Sequence, residues 1–327
     1  MNSIIWIIIV NYRTADLVVD CLLSLSSQIN DLFGGRVLVI DNASGDGSVI
    51  KMNQAIEREG WSAWASVLPS DHNGGFAYGN NAGIRAALGS SNEVDYVMLL
   101  NPDTIAKEGA VRGLLDFMVR HPHAGIAGSL LENAEGGVEC SAHRVHSPLS
   151  ELEAGARLGL LSRFLCRYVV SAYPCVEAHQ CDWVSGASLI MRRSVLEQVG
   201  PMDDGYFLYF EEVDYCWRAK QAGWEVWYVP QSRVMHLEGA STGIRAPAKR
   251  RAKYWYDSRR RFFIKHYGVI GLIAADVLWA TGRITLLLRR FLGLGGGSAE
   301  DPTGFMSDLL WGDLKAFLTG QVWNIRR

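Results

Sequence analysis

Paired cysteines, a secretory signal and net charge are the features that this sequence lacks. The six cysteines among its 327 residues form no C-x-x-C pair and show no zinc-ligand spacing, so buried free thiols are expected. The apolar residues 4–10 follow no basic segment and precede no small-residue cleavage site, which argues against a signal peptide. These absences predict a protein of the reducing cytoplasm.

Charge is balanced overall but unevenly distributed. The net charge is −2, yet residues 1–244 carry 17 basic and 28 acidic side chains, whereas residues 245–290 carry twelve basic side chains and two aspartates. A basic C-terminal segment suggests an anionic partner. Nucleic acid is not expected, because the acidic first 244 residues would repel a phosphate backbone and no recognition motif is present.

Apolar segments of strand length alternate with helical patterns in the first hundred residues. Such alternation predicts a parallel α/β sheet covered on both faces. The predicted strands are 4–10, 36–42, 64–70 and 94–100, and the predicted helices are 14–27, 45–60 and 79–88. Ligands bind at the carboxyl ends of strands in such sheets, and the polar residues at that edge are Asn11, Asp41, Asn42, Asn73 and Asp103.

The rest of the sequence is less regular. Residues 125–180 show no clear pattern, and residues 293–304 are typical of a flexible linker. Helices are predicted over 106–120, 194–200, 207–223, 249–266 and 305–318, strands over 181–193 (after a loop) and 225–230, and an apolar segment over 268–293.

Asp103 follows the fourth predicted strand in the segment LLNPDT, residues 99–104. Asn-Pro-Asp-Thr is typical of a turn with a helix cap. Alternatively, Asp103 binds Mg²⁺ or Mn²⁺, which prefer oxygen ligands and often share them with substrate phosphates. His236 is then either a structural histidine or a second metal ligand or phosphate donor.

Two further segments at this edge also have two interpretations. After the second strand, either Ser44 and Asp46 cap the start of the next helix, or Asp41 accepts hydrogen bonds from a nucleobase or ribose. Residues 72–83, HNGGFAYGNNAG, match neither G-x-G-x-x-G nor a Walker loop. They form either a plain glycine-rich turn or a close backbone approach to a ligand.

Three carboxylates, Glu211, Glu212 and Asp214, crowd the start of the predicted helix 207–223 among aromatic residues. Such a cluster is common on a solvated helix surface. If the carboxylates are partly buried, their pKa values rise and they become suitable general bases.

Five ordered segments together resemble the family 2 glycosyltransferases of the GT-A fold, in particular the bacterial rhamnosyltransferase-like branch. They are residues 8–14 (IIVNYRT), 37–48 (VLVIDNASGDGS), 73–84 (NGGFAYGNNAGI), 99–104 (LLNPDT) and 183–223 with 234–239 behind them. The resemblance covers about residues 4–245. It implies an α/β, Rossmann-like, mostly parallel central sheet flanked by helices, with a C-terminal helical extension.

The resemblance also implies a site for a nucleotide-sugar. The implied residues are Val10, Asn11, Tyr12, Arg13, Asp41, Asn42, Asn73, Gly74, Gly75, Phe76, Asn80, Asn101, Asp103, Gly186 and Ala187. Residues 10–12 would line the nucleobase pocket, Asp41 would bond base or ribose, residues 73–80 would border the diphosphate, and Gly186 and Ala187 would lie beside the donor sugar.

Metal and base follow from the same resemblance. Asp103 stands where the family's D-x-D motif has its metal aspartate, but Asn101 replaces the first aspartate. A Mg²⁺ or Mn²⁺ ion would then rest on Asp103, His236 and the diphosphate. Glu212 matches the catalytic base, although that position is usually aspartate, and Glu211 and Asp214 remain alternatives.

The implied activity is inverting, metal-dependent transfer of a sugar, with L-rhamnose from dTDP-L-rhamnose as the first candidate. The acceptor would be a hydroxyl of a saccharide or a lipid-diphosphate-linked saccharide in cell-surface polysaccharide synthesis. Alternatives are a UDP-hexose-dependent transferase of the same fold and a catalytically decayed nucleotide-binding regulator. A nucleotidyltransferase fits less well, because residues 11–17, NYRTADL, lack the glycine-rich basic loop.

The implied organisation has three parts: a nucleotide-sugar-binding half (1–105), an acceptor and catalytic half (106–245) and a basic, apolar helical extension (246–327). Residues 269–288 are long enough to cross a bilayer, but Asp276 and Arg283 argue against a simple span. Flanking arginines favour an interfacial helix on an anionic membrane, with a buried helix as the alternative. A peripheral location on the inner face of the cytoplasmic membrane is therefore expected, and a homo-oligomer is compatible with the sequence.

Overall fold

A computed structural model describes residues 3–32, 34–90, 93–171, 176–237, 250–294 and 301–325. The chain forms two compact units. Unit 1 comprises Met1–His143, Tyr173–Phe207 and Glu211–Gly243, and unit 2 comprises Arg144–Ala172, Leu208–Phe210 and Ile244–Arg327. The division at residues 105 and 245 stays a prediction; by compactness, residues 144–172 group with the C-terminal helices.

The strands of unit 1 are β1 Ile5–Asn11, β2 Val37–Asp41, β3 Ala65–Pro69, β4 Tyr96–Leu100, β5 Thr104–Ala106, β6 Ala124–Glu132, β7 Val138–Glu139, β8 Ala142–His143, β9 His179–Gln180, β10 Trp183–Val184, β11 Ser188–Arg192 and β12 Glu225–His236. Its helices are α1 Ala15–Ser26, α2 Ser48–Arg58, α3 Gly75–Leu88, α4 Ala110–Arg120, α7 Arg193–Val199 and α8 Glu211–Gln221. Unit 2 contains α5 Pro148–Ala156, α6 Gly159–Phe164, α9 Lys253–Phe291 and α10 Phe305–Leu318.

The sheet of unit 1 is mixed, with a parallel half that carries the site. Its strand order is β3-β2-β1-β4-β11-β6-β12-β5, and the first four strands run parallel. β11 runs antiparallel between β4 and β6. Because β1, β2 and β4 are almost entirely apolar, both of their faces can be covered by helices. The predicted α/β class with a mostly parallel central sheet is confirmed.

Register brings the predicted polar residues to one edge of the sheet. Asn11 at the end of β1 lies opposite Asp41 at the end of β2, and Ile9 lies opposite Leu100 at the end of β4. Ser188 at the start of antiparallel β11 also pairs with Leu100. The carboxyl ends of three strands and the amino end of β11 therefore meet at the same place.

Two strands differ from the prediction. Residues 124–132 form the wholly buried strand β6, although the sequence pattern left 125–180 irregular. Small residues hide this strand: a Cβ on Gly125 would lie 2.7 Å from Trp224, and one on Gly128 would lie 2.5 Å from Val184. β12 does not end at Pro230, because a register irregularity between Val229 and Arg233 accommodates the proline.

Two helices also begin elsewhere than predicted. α3 begins at Gly75, so most of the glycine-rich segment is helix rather than turn. α8 begins only at Glu211, because Tyr209 and Phe210 adopt positive φ angles of 71° and 68°. The predicted helix 249–266 and the predicted apolar segment 268–293 correspond to two helical parts of α9, which are separated at Gly268 by a non-helical φ of 69°.

A buried charge cluster ties the helices of unit 2 together. Arg259 is only 1% exposed and donates to Glu151 of α5 at 2.9 Å and to Asp276 of α9 at 2.8 Å. Asp313 of α10 lies 3.5 Å from Arg259, and burial raises the pKa of Asp313 to about 7. Asp276 of the apolar segment therefore serves an internal ion pair.

Candidate active site

Three polar side chains lie together where β4 ends. His236 Nε2 is 3.4 Å from Asp103 Oδ1 and 3.5 Å from Asn101 Nδ2. Thr104 Oγ1 donates to the Asn101 carbonyl at 2.7 Å and closes the Asn-Pro-Asp-Thr turn. β12 delivers His236 because this residue pairs with Thr104 across the sheet. The turn interpretation of LLNPDT and the placement of Asp103 beside His236 are thus compatible.

This cluster has the donor atoms that a hard divalent cation requires. Asp103 is 2% exposed, and Asn101 Oδ1 and His236 Nδ1 are buried without a hydrogen-bond partner among the described residues. Adjacent ligands of an octahedral Mg²⁺ lie about 3 Å apart, close to the separation of Asp103 and His236. Within the described ranges no group of three His, Cys, Asp or Glu side chains is arranged for a metal. The residues fit an ion that takes its remaining ligands from a substrate.

The predicted nucleobase residues lie next to one another at the ends of β1 and β2. Asp41 is 2% exposed; its Oδ1 accepts from Asn11 Nδ2 at 2.7 Å and from Ser44 Oγ at 2.6 Å, and its Oδ2 accepts from the Ser44 amide at 3.0 Å. Ser44 Oγ also accepts from the Arg13 amide at 2.9 Å. Asp41 thus fixes the positions of Asn11 and Ser44 at this end of the sheet.

Tyr12 and Arg13 form the outer part of the same region. Arg13 has a positive φ of 59°. Two hydrogen bonds stabilise this conformation: the Arg13 amide donates to Ser44 Oγ, and Arg13 Nε donates to the Ser44 carbonyl at 3.1 Å. Its guanidinium lies 5.0 Å from the centroid of the Tyr12 ring, and Tyr12 is 41% exposed. An exposed aromatic ring at a strand end offers a stacking surface for a base.

The asparagine and glycine residues of segment 73–84 connect the ends of β1 and β2 to α3. Asn42 Nδ2 donates to the Gly75 carbonyl at 2.8 Å, and Asn73 Oδ1 accepts from the Gly75 amide at 3.0 Å. The Phe76 amide donates to the Phe207 carbonyl at 2.8 Å. The start of α3 is therefore held by side chains from two directions.

Gly75 is required for this junction. Its φ is 88°, and a Cβ would lie 2.0 Å from the Phe207 carbonyl oxygen. We expect Gly75→Ala to lower the free energy of unfolding by about 2–5 kcal/mol in urea denaturation, from backbone strain plus overlap. Gly109→Ala is the matched control, because Gly109 has a φ of 76° and open space at its Cβ; its expected cost is about 1–2 kcal/mol. Equal losses would contradict the overlap.

Other predicted residues of α3 have packing roles. Asn80 is 1% exposed and donates to the Phe76 carbonyl one turn earlier at 3.0 Å. Val10 packs against Gly79, whose Cβ would lie 2.7 Å from it. Gly74 precedes α3, and a Cβ there would lie 2.4 Å from Tyr78. Close packing of α3 on β1 therefore explains part of the glycine content of residues 72–83 without a ligand.

Glu211 is buried and Glu212 is half-buried at the start of α8. Burial, then the neighbouring Glu212 charge, raises the pKa of Glu211 well above its usual range. Burial also raises the pKa of Glu212, although backbone amides, including that of Gly186, counteract the shift. One oxygen of each carboxylate lacks a hydrogen-bond partner among the described residues. Such desolvated carboxylates are suited to accept a proton.

Gly186 and Ala187 lie between Glu212 and the polar residues at the end of β4. A Cβ on Gly186 would lie 3.7 Å from Glu212 Cβ and 3.4 Å from the Phe76 ring. The Ala187 carbonyl accepts from the Asn101 amide at 2.9 Å. The structure thus brings Phe76, Glu212 and the Asn101 turn close to one short segment of unit 1.

Asp214 has different surroundings. It is fully buried, accepts from Arg218 Nε at 2.8 Å and interacts with Tyr206 Oη at 3.4 Å. A carboxylate engaged in an ion pair is a weaker base, so this arrangement favours a structural role over the catalytic alternative.

Two groups at the candidate site, the Ser44 side chain and the Phe207 carbonyl, were not predicted from the sequence. Ser44 was considered only as a helix cap, although an Asp followed three residues later by Ser is a pattern that can close a loop. The Phe207 carbonyl gave no sequence signal, because a main-chain acceptor is independent of side-chain identity.

Comparison with known proteins gives this geometry a family. The sequence profile described as glycosyl transferase family 2 matches residues 6–200. The chain belongs to this family. It is 34% identical, over 229 residues, to the N-acetylglucosaminyl-diphospho-decaprenol L-rhamnosyltransferase of Mycobacterium tuberculosis (strain CDC 1551 / Oshkosh). The alignment covers 67% of this chain and 71% of that relative. The predicted family and its rhamnosyltransferase-like branch are confirmed.

Solved structures confirm the fold of this family 2 glycosyltransferase. GalNAc-T7, crystallised with UDP, GalNAc and Mn²⁺, matches 96% of the chain with a TM-score of 0.60 and 13% identity, and this chain spans 57% of its length. The mannosyltransferase PcManGT of Pyrobaculum calidifontis, in complex with GDP-Man and Mn²⁺, matches 96% of the chain and 80% of its own, with a TM-score of 0.52 and 15% identity. The predicted GT-A fold is confirmed.

Proposed function

We propose that this family 2 glycosyltransferase moves a sugar from a nucleotide-sugar to an acceptor hydroxyl with inversion at the anomeric carbon. One observation carries the proposal: Asn101, beside the Asp103–His236 pair, and Glu212 both lie next to the Gly186–Ala187 segment. A candidate metal site for a diphosphate and a base for an acceptor are thus available at the edge where α/β sheets bind nucleotides.

L-Rhamnose from dTDP-L-rhamnose is the proposed donor, because the Mycobacterium tuberculosis relative is named an L-rhamnosyltransferase. UDP-hexoses are the alternative. A thermal-shift panel of nucleotide-sugars with and without Mn²⁺ tests this proposal. The largest Mn²⁺-dependent rise in melting temperature is expected with dTDP-L-rhamnose, and a larger rise with a UDP-hexose would replace that donor. A rise without any sugar transfer would favour the catalytically decayed nucleotide-binding regulator, and no rise with any nucleotide-sugar would overturn the proposal.

Asp103 and His236 would hold a Mg²⁺ or Mn²⁺ ion. When bound, such an ion supplies positive charge that stabilises the departing nucleoside diphosphate. Asn11, Asp41 and Ser44 would position the nucleoside. The Gly186–Ala187 segment, which has little side-chain volume, would leave room for the donor sugar beside Glu212.

Glu212 would act as the general base. Its carboxylate removes the proton of the acceptor hydroxyl as the oxygen attacks the anomeric carbon from the face opposite the nucleotide, which inverts the configuration. Glu212 is favoured over Glu211 because its carboxylate meets the Gly186 amide next to the proposed sugar position. It is favoured over Asp214 because that carboxylate is paired with Arg218.

The acceptor would be linked to a lipid diphosphate, and unit 2 would contact the membrane on its cytoplasmic side. Helix α9 is long and apolar enough to cross a bilayer by length and composition, with 39% of its most apolar window buried. Exposed apolar residues lie along one face of this helix at spacings of three, four or seven positions. This outer stripe consists of Ile270, Ile273, Val277, Ile284, Leu288 and Phe291.

The opposite face of α9 is occupied by the protein itself. Asp276 bonds Arg259 at 2.8 Å, and Arg283 donates to Asp301 at 2.8 Å. A helix surrounded by lipid would have to break both pairs. An interfacial position therefore fits better than a span, and Arg289 and Arg290 at its end would favour anionic lipid.

Charges in the outer stripe should abolish membrane binding. We expect Ile273→Glu combined with Ile284→Glu to reduce co-flotation with anionic liposomes by about 100-fold or more, since two apolar contacts are replaced by charges. Leu23→Glu combined with Ile50→Glu is the matched control, because both residues are similarly exposed on unit 1.

Equal flotation of both double variants and the unmodified protein would rule out this membrane contact. If the stripe variant instead changed the sedimentation of a dimer to that of a monomer, the stripe would be a contact between copies of the chain. The membrane proposal would then be wrong.

A further inference from the structure

Arg251 of unit 2 is a half-buried cation for which the described residues supply no ion-pair partner. Its guanidinium carbon lies 4.6 Å from the centroid of the Trp255 ring and 5.7 Å from that of Phe305. Its Nε is buried without a hydrogen-bond acceptor, and no carboxylate of the described ranges forms an ion pair with it. Burial lowers the pKa of Arg251, as expected for an uncompensated charge.

Tyr256 supplies a second unsatisfied polar group beside this arginine. The residue is 4% exposed, and its buried hydroxyl has no hydrogen-bond partner in the described part of the chain. The Tyr256 and Tyr209 hydroxyls both lie close enough to Arg251 to interact with its charge. A buried hydroxyl without a partner destabilises the protein, so a ligand that accepts a hydrogen bond from it would remove that cost.

The nearby acids are already neutralised. Asp308 is paired with Arg250, and Asp301 accepts from Arg157 at 3.0 Å and from Arg283 at 2.8 Å. The positive charge of Arg251 therefore remains available to a ligand, although Asp301 reduces it electrostatically.

The first turn of α9 adds to the positive potential. Ala252 caps this helix without a side-chain hydrogen bond, and the first turn contains no acidic residue. Unsatisfied amides at a helix start favour phosphate groups. The planar guanidinium presents paired donors that match phosphate oxygens.

We propose that Arg251, Tyr256 and the first turn of α9, all in unit 2, form a diphosphate-binding site. The adjoining Trp255 and Phe305 rings suit a diphosphate that carries an apolar chain, as a lipid-linked acceptor does. That assignment of the lipid source rests on the proposed function, whereas the diphosphate chemistry does not. A nucleotide diphosphate is the other source of the same chemistry.

Titration calorimetry of the full chain with inorganic pyrophosphate in EDTA tests the site without a metal. We expect the affinity to fall about tenfold in Arg251→Gln, because a charged hydrogen bond is lost, and about threefold in Tyr256→Phe. Arg112→Gln is the control, since Arg112 is ion-paired with Asp116 on the surface, and it should bind pyrophosphate normally. Equal affinity in all folded variants would overturn the proposal.

Farnesyl diphosphate and dTDP then distinguish the two sources. A loss of affinity in Arg251→Gln for farnesyl diphosphate alone supports the lipid-linked acceptor. A loss for dTDP alone retains the diphosphate site but overturns the lipid assignment. Because these titrations do not depend on sugar transfer, an active enzyme with unaffected variants would refute this site and leave the proposed function intact.

Discussion

Glu212→Gln is expected to lower kcat by about 10²- to 10⁴-fold while leaving nucleotide affinity unchanged. Glutamine keeps the size of the side chain but cannot accept the proton of the acceptor hydroxyl, and a positioned general base contributes a factor of this order. Initial rates of sugar transfer, combined with calorimetric titration of the nucleotide, separate the two effects.

Glu211→Gln and Asp214→Asn are the matched comparisons. Glu211 is buried next to Glu212, so its replacement should change the pH dependence of transfer more than the maximum rate. Asp214→Asn removes a buried partner of Arg218 and should reduce stability rather than kcat at low temperature. Wild-type turnover in Glu212→Gln, with a large loss in either comparison, would move the base to that residue.

The same carboxylates should produce a pH-dependent stability difference. Their folded-state pKa values are raised, mainly by burial. The native state therefore binds more protons than the unfolded state, and the free energy of unfolding falls as pH rises above the usual glutamate range. At pH 8 the Glu211→Gln variant should melt at a higher temperature than the unmodified protein, and this gap should shrink as pH approaches 4.5.

The sequence predicted some strands of the sheet and missed one. β1, β2 and β4 were predictable because a strand buried on both faces must be almost continuously apolar. β6 was missed because Gly125 and Gly128 leave space for Trp224 and Val184, and these contacts come from distant parts of the chain. A strand whose composition is set by its neighbours carries little local pattern.

The candidate site divides along similar lines. The predicted strand ends were enough to put Asp41 and Asp103 at one edge of the sheet, because the carboxyl ends of parallel strands lie at the same edge. The sequence could not foresee that β12 would continue past Pro230 and pair His236 with Thr104, because an irregularity in a strand depends on its partner. Nor could it distinguish Glu212 from Asp214, since the difference arises from the ion pair with Arg218.

Asp103→Ala should abolish the dependence of nucleotide binding on Mn²⁺. The variant lacks the carboxylate next to His236 Nε2, and loss of a charged ligand should weaken Mn²⁺ binding by at least about tenfold. Electron paramagnetic resonance measures free Mn²⁺ directly, so the result does not depend on activity. Metal-free nucleotide affinity should stay the same, because the hydrogen bonds among Asn11, Asp41 and Ser44 are retained in the variant.

Asn101→Asp and His236→Ala complete the test of this cluster. Asn101→Asp introduces a carboxylate whose oxygen would replace the unpartnered Oδ1 of the asparagine, so Mn²⁺ affinity should rise; His236→Ala should lower it. If Mn²⁺ still enhanced nucleotide binding in Asp103→Ala as in the unmodified protein, the ion would have to be held elsewhere. The Asn-Pro-Asp-Thr turn would then be only the end of β4, and Asp103 would serve the turn rather than the diphosphate.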